Sequence, residues 1–170
     1  MTCGLLRAKN DYVFAQNDYD LGFCEIFRSI DAIIRTSKKG RRCMVYYTGD
    51  IHGNAKAIVA FAQYFELTES DTIVILGDVG ANYYGNRRDR YCKDALARIK
   101  PTVFCIHGNH ERRPDTLTGY KQKEWNSGLV WYEDEYPNLL FARDGDIFTM
   151  EGTRHLVIGG AYCVEQYYRL

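Results

Sequence analysis

Three short apolar runs, each ending in a glycine-flanked turn, restrict most strongly what this chain can fold into. They are Met44-Val45-Tyr46-Tyr47, Thr72-Ile73-Val74-Ile75-Leu76 and Thr102-Val103-Phe104-Cys105-Ile106. Short and rich in β-branched or aromatic residues, they have the character of buried strands. Between them, Ala55 to Phe65 sets Ile58, Phe61, Ala62 and Phe65 on one helical stripe, and Arg87 to Ile99 does the same with Tyr91, Ala95, Leu96 and Ile99. Strand, helix, strand, helix, strand predicts an α/β fold with a parallel sheet and right-handed crossovers. In such sheets ligands collect outside the carboxyl ends of the strands, and the three turns fall at that end.

The turns carry side chains able to bind a metal or move a proton: Gly49-Asp50-Ile51-His52-Gly53-Asn54, Gly77-Asp78-Val79-Gly80 and Gly108-Asn109-His110-Glu111. Successive turns are separated by roughly thirty residues, about one βα unit. Asp50 and His52, at i and i+2, can reach one cation from an extended turn. Asp78 adds a second carboxylate and Asn109 a neutral carbonyl oxygen. Mixed oxygen and nitrogen ligation suits Mn, Fe, Zn or Co better than calcium or a thiolate-seeking ion. Two such metals roughly 3.5–4 Å apart can hold a hydroxide and clamp a phosphate. Each motif alone has a plainer reading, a solvated turn for Asp-x-His and a turn or helix cap for Gly-Asp; it is the three in register that favour a site.

Asp-x-His, Gly-Asp and Gly-Asn-His-Glu, in this order and spacing, resemble the calcineurin-like metallophosphoesterases. The resemblance implies a sheet sandwich flanked by helices and metal-dependent hydrolysis of a phosphomonoester or phosphodiester by a hydroxide held between two divalent ions (Mn, Fe, Zn or Co). It implies further that Asp50 and His52 bind the first metal, that Asp78 bridges both and that Asn109 binds the second. His110 would stand by the leaving-group oxygen as general acid or transition-state stabiliser, its charge and orientation set by a carboxylate such as Asp50 or Glu111. Arg112 and Arg113 follow the third motif and are candidate substrate-binding residues, because guanidinium groups clamp phosphate; a solvated loop explains them equally well. Arg87, Arg88 and Arg90 after the second motif are open to the same two readings.

The sequence also departs from that family. Its pattern continues with an isolated histidine and Gly-His-x-His, yet the histidine following His110 is His155, inside the strand-like Thr153-Arg154-His155-Leu156-Val157-Ile158. His155 is therefore read as structural, as is His107 at the end of a strand. Many members carry Gly-Asp-x-x-Asp where this chain has Gly77-Asp78-Val79-Gly80-Ala81-Asn82. Residues 138 to 158 read as a β-meander with turns at Asp144-Gly145 and Glu151-Gly152. Gly159-Gly160-Ala161-Tyr162 resembles the end of a central strand of the family, so the expectation is a chain lacking its C-terminal part. Such a chain would hold at most one metal and hydrolyse little phosphoester. The alternative to an enzyme is a truncated, catalytically incompetent fragment acting as a weak metal-binding or interaction module.

Residues 1 to 43 are expected to be an N-terminal extension or an upstream over-read, with residues 44 to 170 forming the phosphoesterase portion. The competing reading of the extension is an amphipathic helix over Leu21 to Ile34; Ser37 to Arg42 reads as a solvated basic linker. Lys+Arg 22 against Asp+Glu 22 leaves no net field that would favour nucleic acid. Six scattered cysteines without Cys-x-x-Cys spacing suit free thiols and a cytoplasmic location. No apolar run approaches the roughly 20 residues of a membrane span. Tyr83-Tyr84 and Tyr167-Tyr168 are candidates to line a cleft, core edges being their plainer role.

Overall fold

The computed structural model describes residues 43–160 together with the backbone of Tyr12–Val13. The expected helix at Leu21 to Ile34, the basic linker and Tyr167-Tyr168 lie outside the described residues.

Each apolar run becomes a strand: β2 (Val45–Thr48), β3 (Thr72–Leu76) and β4 (Thr102–Ile106), with β1 (Tyr12–Val13) alongside β2. The helices between them are α1 (Lys56–Tyr64) and α2 (Arg87–Ala97). A 3₁₀ turn (Pro114–Thr116) leads to β5 (Lys121–Trp125), β6 (Gly128–Tyr132) and β7 (Leu139–Ala142), and β8 (Ile147–Met150) and β9 (Thr153–Leu156) follow. The main sheet has the order β1-β2-β3-β4-β7-β6-β5. It is parallel from β1 through β7 and antiparallel across β7, β6 and β5.

Side chains alternate across this sheet because the strand period is two residues. Ile73, Ile75, Val103, Cys105, Leu139 and Phe141 face the helices and pack with Ile58, Phe61, Leu96 and Ile99. Val74, Phe104 and Leu140 face the other way, against Phe148 and Met150 of the β8–β9 hairpin. Phe148 is fully buried, its ring 4.8 Å from that of Phe104. The result is the expected sandwich, a mainly parallel sheet with helices on one face and a small second sheet on the other.

Three details depart from the sequence reading. The stretch from 138 to 158 is not one meander: β7 joins the main sheet, since Leu139, Leu140 and Phe141 are apolar on both faces, whereas β8 and β9 pair with each other. The β5–β6 hairpin gave little apolar alternation because β5 reads Lys-Gln-Lys-Glu-Trp; its turn, Asn126-Ser127, has φ +48° and +75°. In α2, Tyr91 is 68% exposed instead of buried, and Asp89, Cys92, Lys93 and Leu96 face inward. Leu96 and Ile99 are buried as expected and Ala95 packs against the core, so the departure is confined to Tyr91. The inward face is widened by polar anchors: Asp89 accepts the backbone N–H groups of Tyr84 and Gly85, and Lys93 is paired with Glu133.

Candidate metal centre

β2, β3 and β4 end side by side, and the segments that follow them are laced together by main-chain hydrogen bonds. Asp50 N donates to Gly77 O (3.1 Å), His52 N to Asp78 O (2.8 Å) and Gly53 N to Val79 O (2.8 Å). Gly77 N donates in turn to Ile106 O at the end of β4. The lacing holds three non-glycine residues in the left-handed region: Asp50 at φ +59°, His52 at +44° and Asp78 at +46°. That conformation costs on the order of 1–2 kcal/mol per L-residue. Strain of this kind persists where surrounding structure over-determines it, and it gathers at functional sites.

Two glycines make the close approach possible. A Cβ on Gly80 would lie 2.2 Å from Gly53 N, and one on Gly108 would lie 2.1 Å from Asp78 Oδ1. Asp78 is buried, and its Oδ1 accepts His110 N–H at 2.9 Å. His52 Nε2 lies 2.8 Å from Asp50 Oδ1 on the exposed side, and the rings of His52 and His110 stand edge to face at 5.4 Å. One ligand atom from each of His52, Asp78 and His110 can be chosen so that all three lie within 4.8 Å of one another. Two imidazoles and a buried carboxylate at that separation form a mixed donor set fit for a borderline divalent cation. Asn109 is half-buried on the turn between Gly108 and His110.

Glu111 braces the turns through main-chain donors. Its carboxylate accepts Gly80 N–H at 2.7 Å and Gly108 N–H at 3.4 Å, bridging the second and third turns. Burial raises its pKa, and those N–H donors oppose the rise. Arg113 is paired with Asp144, whose other oxygen accepts Gly159 N–H at 2.9 Å, so its guanidinium is committed to the fold. Arg112 is exposed and lays its guanidinium over Gly85. His107 is half-buried beside Arg113; burial first, and that cation second, lower its pKa, while its carbonyl accepts Gly160 N–H at 2.7 Å. In His155, Nδ1 donates to Thr153 O (3.0 Å), so Nε2 accepts the Tyr47 hydroxyl (2.8 Å) and the ring serves the second sheet.

Sequence reasoning found the three turns but not what braces them. Tyr83 was one of several cleft candidates, and the structure sets its ring 6.2 Å from that of His110. Buried Asn82 accepts the Tyr120 hydroxyl at 2.7 Å on its side chain and Arg112 N–H at 3.1 Å on its carbonyl. The density of glycines in Gly53, Gly80 and Gly108 was the available signal that these turns touch. An open concavity lined by Glu124, Ser127, Asp146 and neighbours lies elsewhere and contains no motif residue.

A group of metal-competent side chains at the carboxyl ends of three parallel strands, in a two-sheet α/β sandwich, defines a candidate metal-binding α/β domain. The particular family follows from the sequence match: residues 44–168 fit the calcineurin-like phosphoesterase model, and the chain belongs to that family. No curated protein and no solved structure matches it. Among the described residues no helix is long and apolar enough to cross a membrane.

Proposed function

We propose that the chain hydrolyses a phosphomonoester or phosphodiester with divalent cations at this centre. The observation that carries the proposal is the convergence of His52, Asp78 and His110 from three separate turns. As the family resemblance implies, Asp50, His52 and Asp78 would hold one cation and Asp78 with Asn109 a second. The group within 4.8 Å takes in His110 and not Asp50, whose carboxylate lies 2.8 Å from His52 Nε2. Bound cations supply charge neutralisation at the phosphoryl group and acidify water. As water adds its oxygen to phosphorus and the P–O bond to the alcohol breaks, His110 would give a ring proton to the departing oxygen, and the proton released from water restores the ring. Arg112, rather than the paired Arg113, offers a guanidinium to the phosphoryl oxygens. The bonds to Asp78 O and Val79 O hold the first turn against the second, so the donors are positioned before substrate arrives.

One observation favours a second reading, a single-cation module without turnover. His110 has a ligand atom within reach of the donors of His52 and Asp78, and an imidazole taken up as a ligand has no proton to give. The two readings separate in His110→Ala, measured by calorimetric titration with Zn²⁺ or Mn²⁺ and by hydrolysis of 4-nitrophenyl phosphate and its bis ester. The hydrolase reading expects cation affinity to be retained and turnover to fall by about 10²-fold or more, the scale of a lost general acid. The module reading expects cation affinity to collapse. Cation binding indifferent to both Asp78→Asn and His52→Ala would overturn either one.

A further inference from the structure

The side of the centre next to His110 carries an aromatic and cationic wall that binding of a cation does not use. Tyr83 stands 6.2 Å from the His110 ring, and Tyr84 meets Tyr83 edge to face at 4.6 Å. Tyr84 is 45% exposed, with the Arg88 guanidinium 4.9 Å from its ring centroid. Beside it, the Arg112 guanidinium occupies the space a side chain at position 85 would need: a Cβ there would lie 2.0 Å from Arg112 Nη2.

The wall is a built element. Asp89, buried, accepts Tyr84 N–H at 2.9 Å and Gly85 N–H at 2.7 Å, and Asn86 caps α2 by accepting Arg88 N–H at 2.9 Å. The bonds of Asn82 to Tyr120 and to Arg112 N–H fix the other end of the segment. Loops with such internal support present side chains at low ordering cost on binding.

We infer that Tyr83 and Tyr84, with the Arg88 guanidinium on the Tyr84 ring, form the leaving-group subsite beside Arg112, and that it selects phosphoesters whose alcohol portion carries a planar π system. The inference rests on the hydrolase reading above, in which His110 faces the leaving oxygen; the group bonded to that oxygen then comes close to the His110 ring, which Tyr83 neighbours at 6.2 Å. Aromatic rings stack on planar groups whatever their hydrogen-bonding edges, and a guanidinium plane adds a stacking cation. A nucleobase and a simple aryl group share this chemistry.

The test measures binding to the Zn²⁺-loaded 170-residue chain of three probes: adenosine 5′-monophosphate, 4-nitrophenyl phosphate and ribose 5-phosphate. Calorimetry gives the affinities, and saturation transfer from tyrosine ring protons to adenine H2 and H8 reports contact directly. Stacking on one ring is expected to favour the two π-bearing probes about tenfold over ribose 5-phosphate. Tyr84→Ala brings that ratio close to one, whereas Tyr84→Phe preserves it. Preference for the adenine probe alone identifies a nucleobase subsite, and preference for the nitrophenyl probe alone a small aryl subsite; either supports the inference. Equal affinity for all three probes overturns it and leaves the hydrolase reading standing. Failure to bind any of them overturns both.

Discussion

Replacing Gly80 by alanine tests whether the centre is held by direct contact of two main chains. The new Cβ would sit 2.2 Å from Gly53 N, 2.6 Å from His52 C and 2.8 Å from Gly53 Cα, all backbone atoms that no rotamer change can move aside. Gly80 also has φ +77°, which costs an L-residue about 1–2 kcal/mol. Relieving the overlap separates the first turn from the second and removes the bonds from His52 N to Asp78 O and from Gly53 N to Val79 O, about 1 kcal/mol each. Together the strain and the two bonds amount to about 3–4 kcal/mol, before any loss at the Glu111 latch. Gly152→Ala is the matched control, because φ there is +75° and nothing lies within 4 Å of the added carbon. It should cost only the strain, about 1–2 kcal/mol. Urea unfolding of both variants, with slopes compared to exclude a change in the denatured state, measures the difference. If Gly80→Ala and Gly152→Ala prove equally mild, the two turns do not touch as described and the pre-positioning of His52 against Asp78 is refuted.

Gly108→Ala has no left-handed strain to add, but its Cβ would fall 2.1 Å from Asp78 Oδ1 and 2.2 Å from Asp78 N; cation affinity measured by calorimetry should fall by at least about tenfold, one pK-sized unit of free energy. Lys93 is buried and paired with Glu133 against the rings of Tyr120 and Tyr136. Lys93→Met should destabilise by about 2 kcal/mol by leaving a half-buried carboxylate without its cation, and adding Glu133→Leu should recover most of that loss. The Cys92 thiol is pushed up to about 12, first by burial and then by the charges of Glu111 and Asp89. Because its folded pKa lies above the unfolded value of 9.0, its contribution is intact below pH 9 and is lost as pH rises from there toward 12. Unfolding free energy should fall by about 1.4 kcal/mol per pH unit for this thiol above pH 9, and Cys92→Ala should flatten that slope.

The turns were legible because each ligand candidate is tied to a strong local signal, a buried-strand run followed by glycine. Periodicity placed α1 and α2 within two residues of their ends, yet it set the buried face of α2 wrongly at Tyr91. Hydropathy could not see that Asp89 and Lys93 would be drawn inward by the N–H groups of Tyr84 and Gly85 and by Glu133. Hidden for a related reason was the role of Glu111. From sequence it is one more carboxylate beside an imidazole; in the fold it joins Gly80 to Gly108, a long-range partnership that no local pattern encodes. Arg112 and Arg113 were indistinguishable as neighbours in a basic pair, and only Asp144, far along the chain, separates them by binding Arg113.

These long-range contacts share a physical logic. Asp50, His52 and Asp78 occupy backbone conformations that isolated turns of this sequence would populate poorly. Their native geometry therefore has to be imposed by neighbouring turns, through the lacing bonds, the contact of Gly80 with Gly53 and the Glu111 latch. A donor set arranged in this way is formed by folding rather than by the cation, so cation binding draws little on ordering entropy. The same rigidity extends through Asn82 to Tyr83, Tyr84 and Arg112. The surface that would meet the leaving group is thus braced by the same turns that position His52 and Asp78, and a substitution that loosens one should be felt at the other.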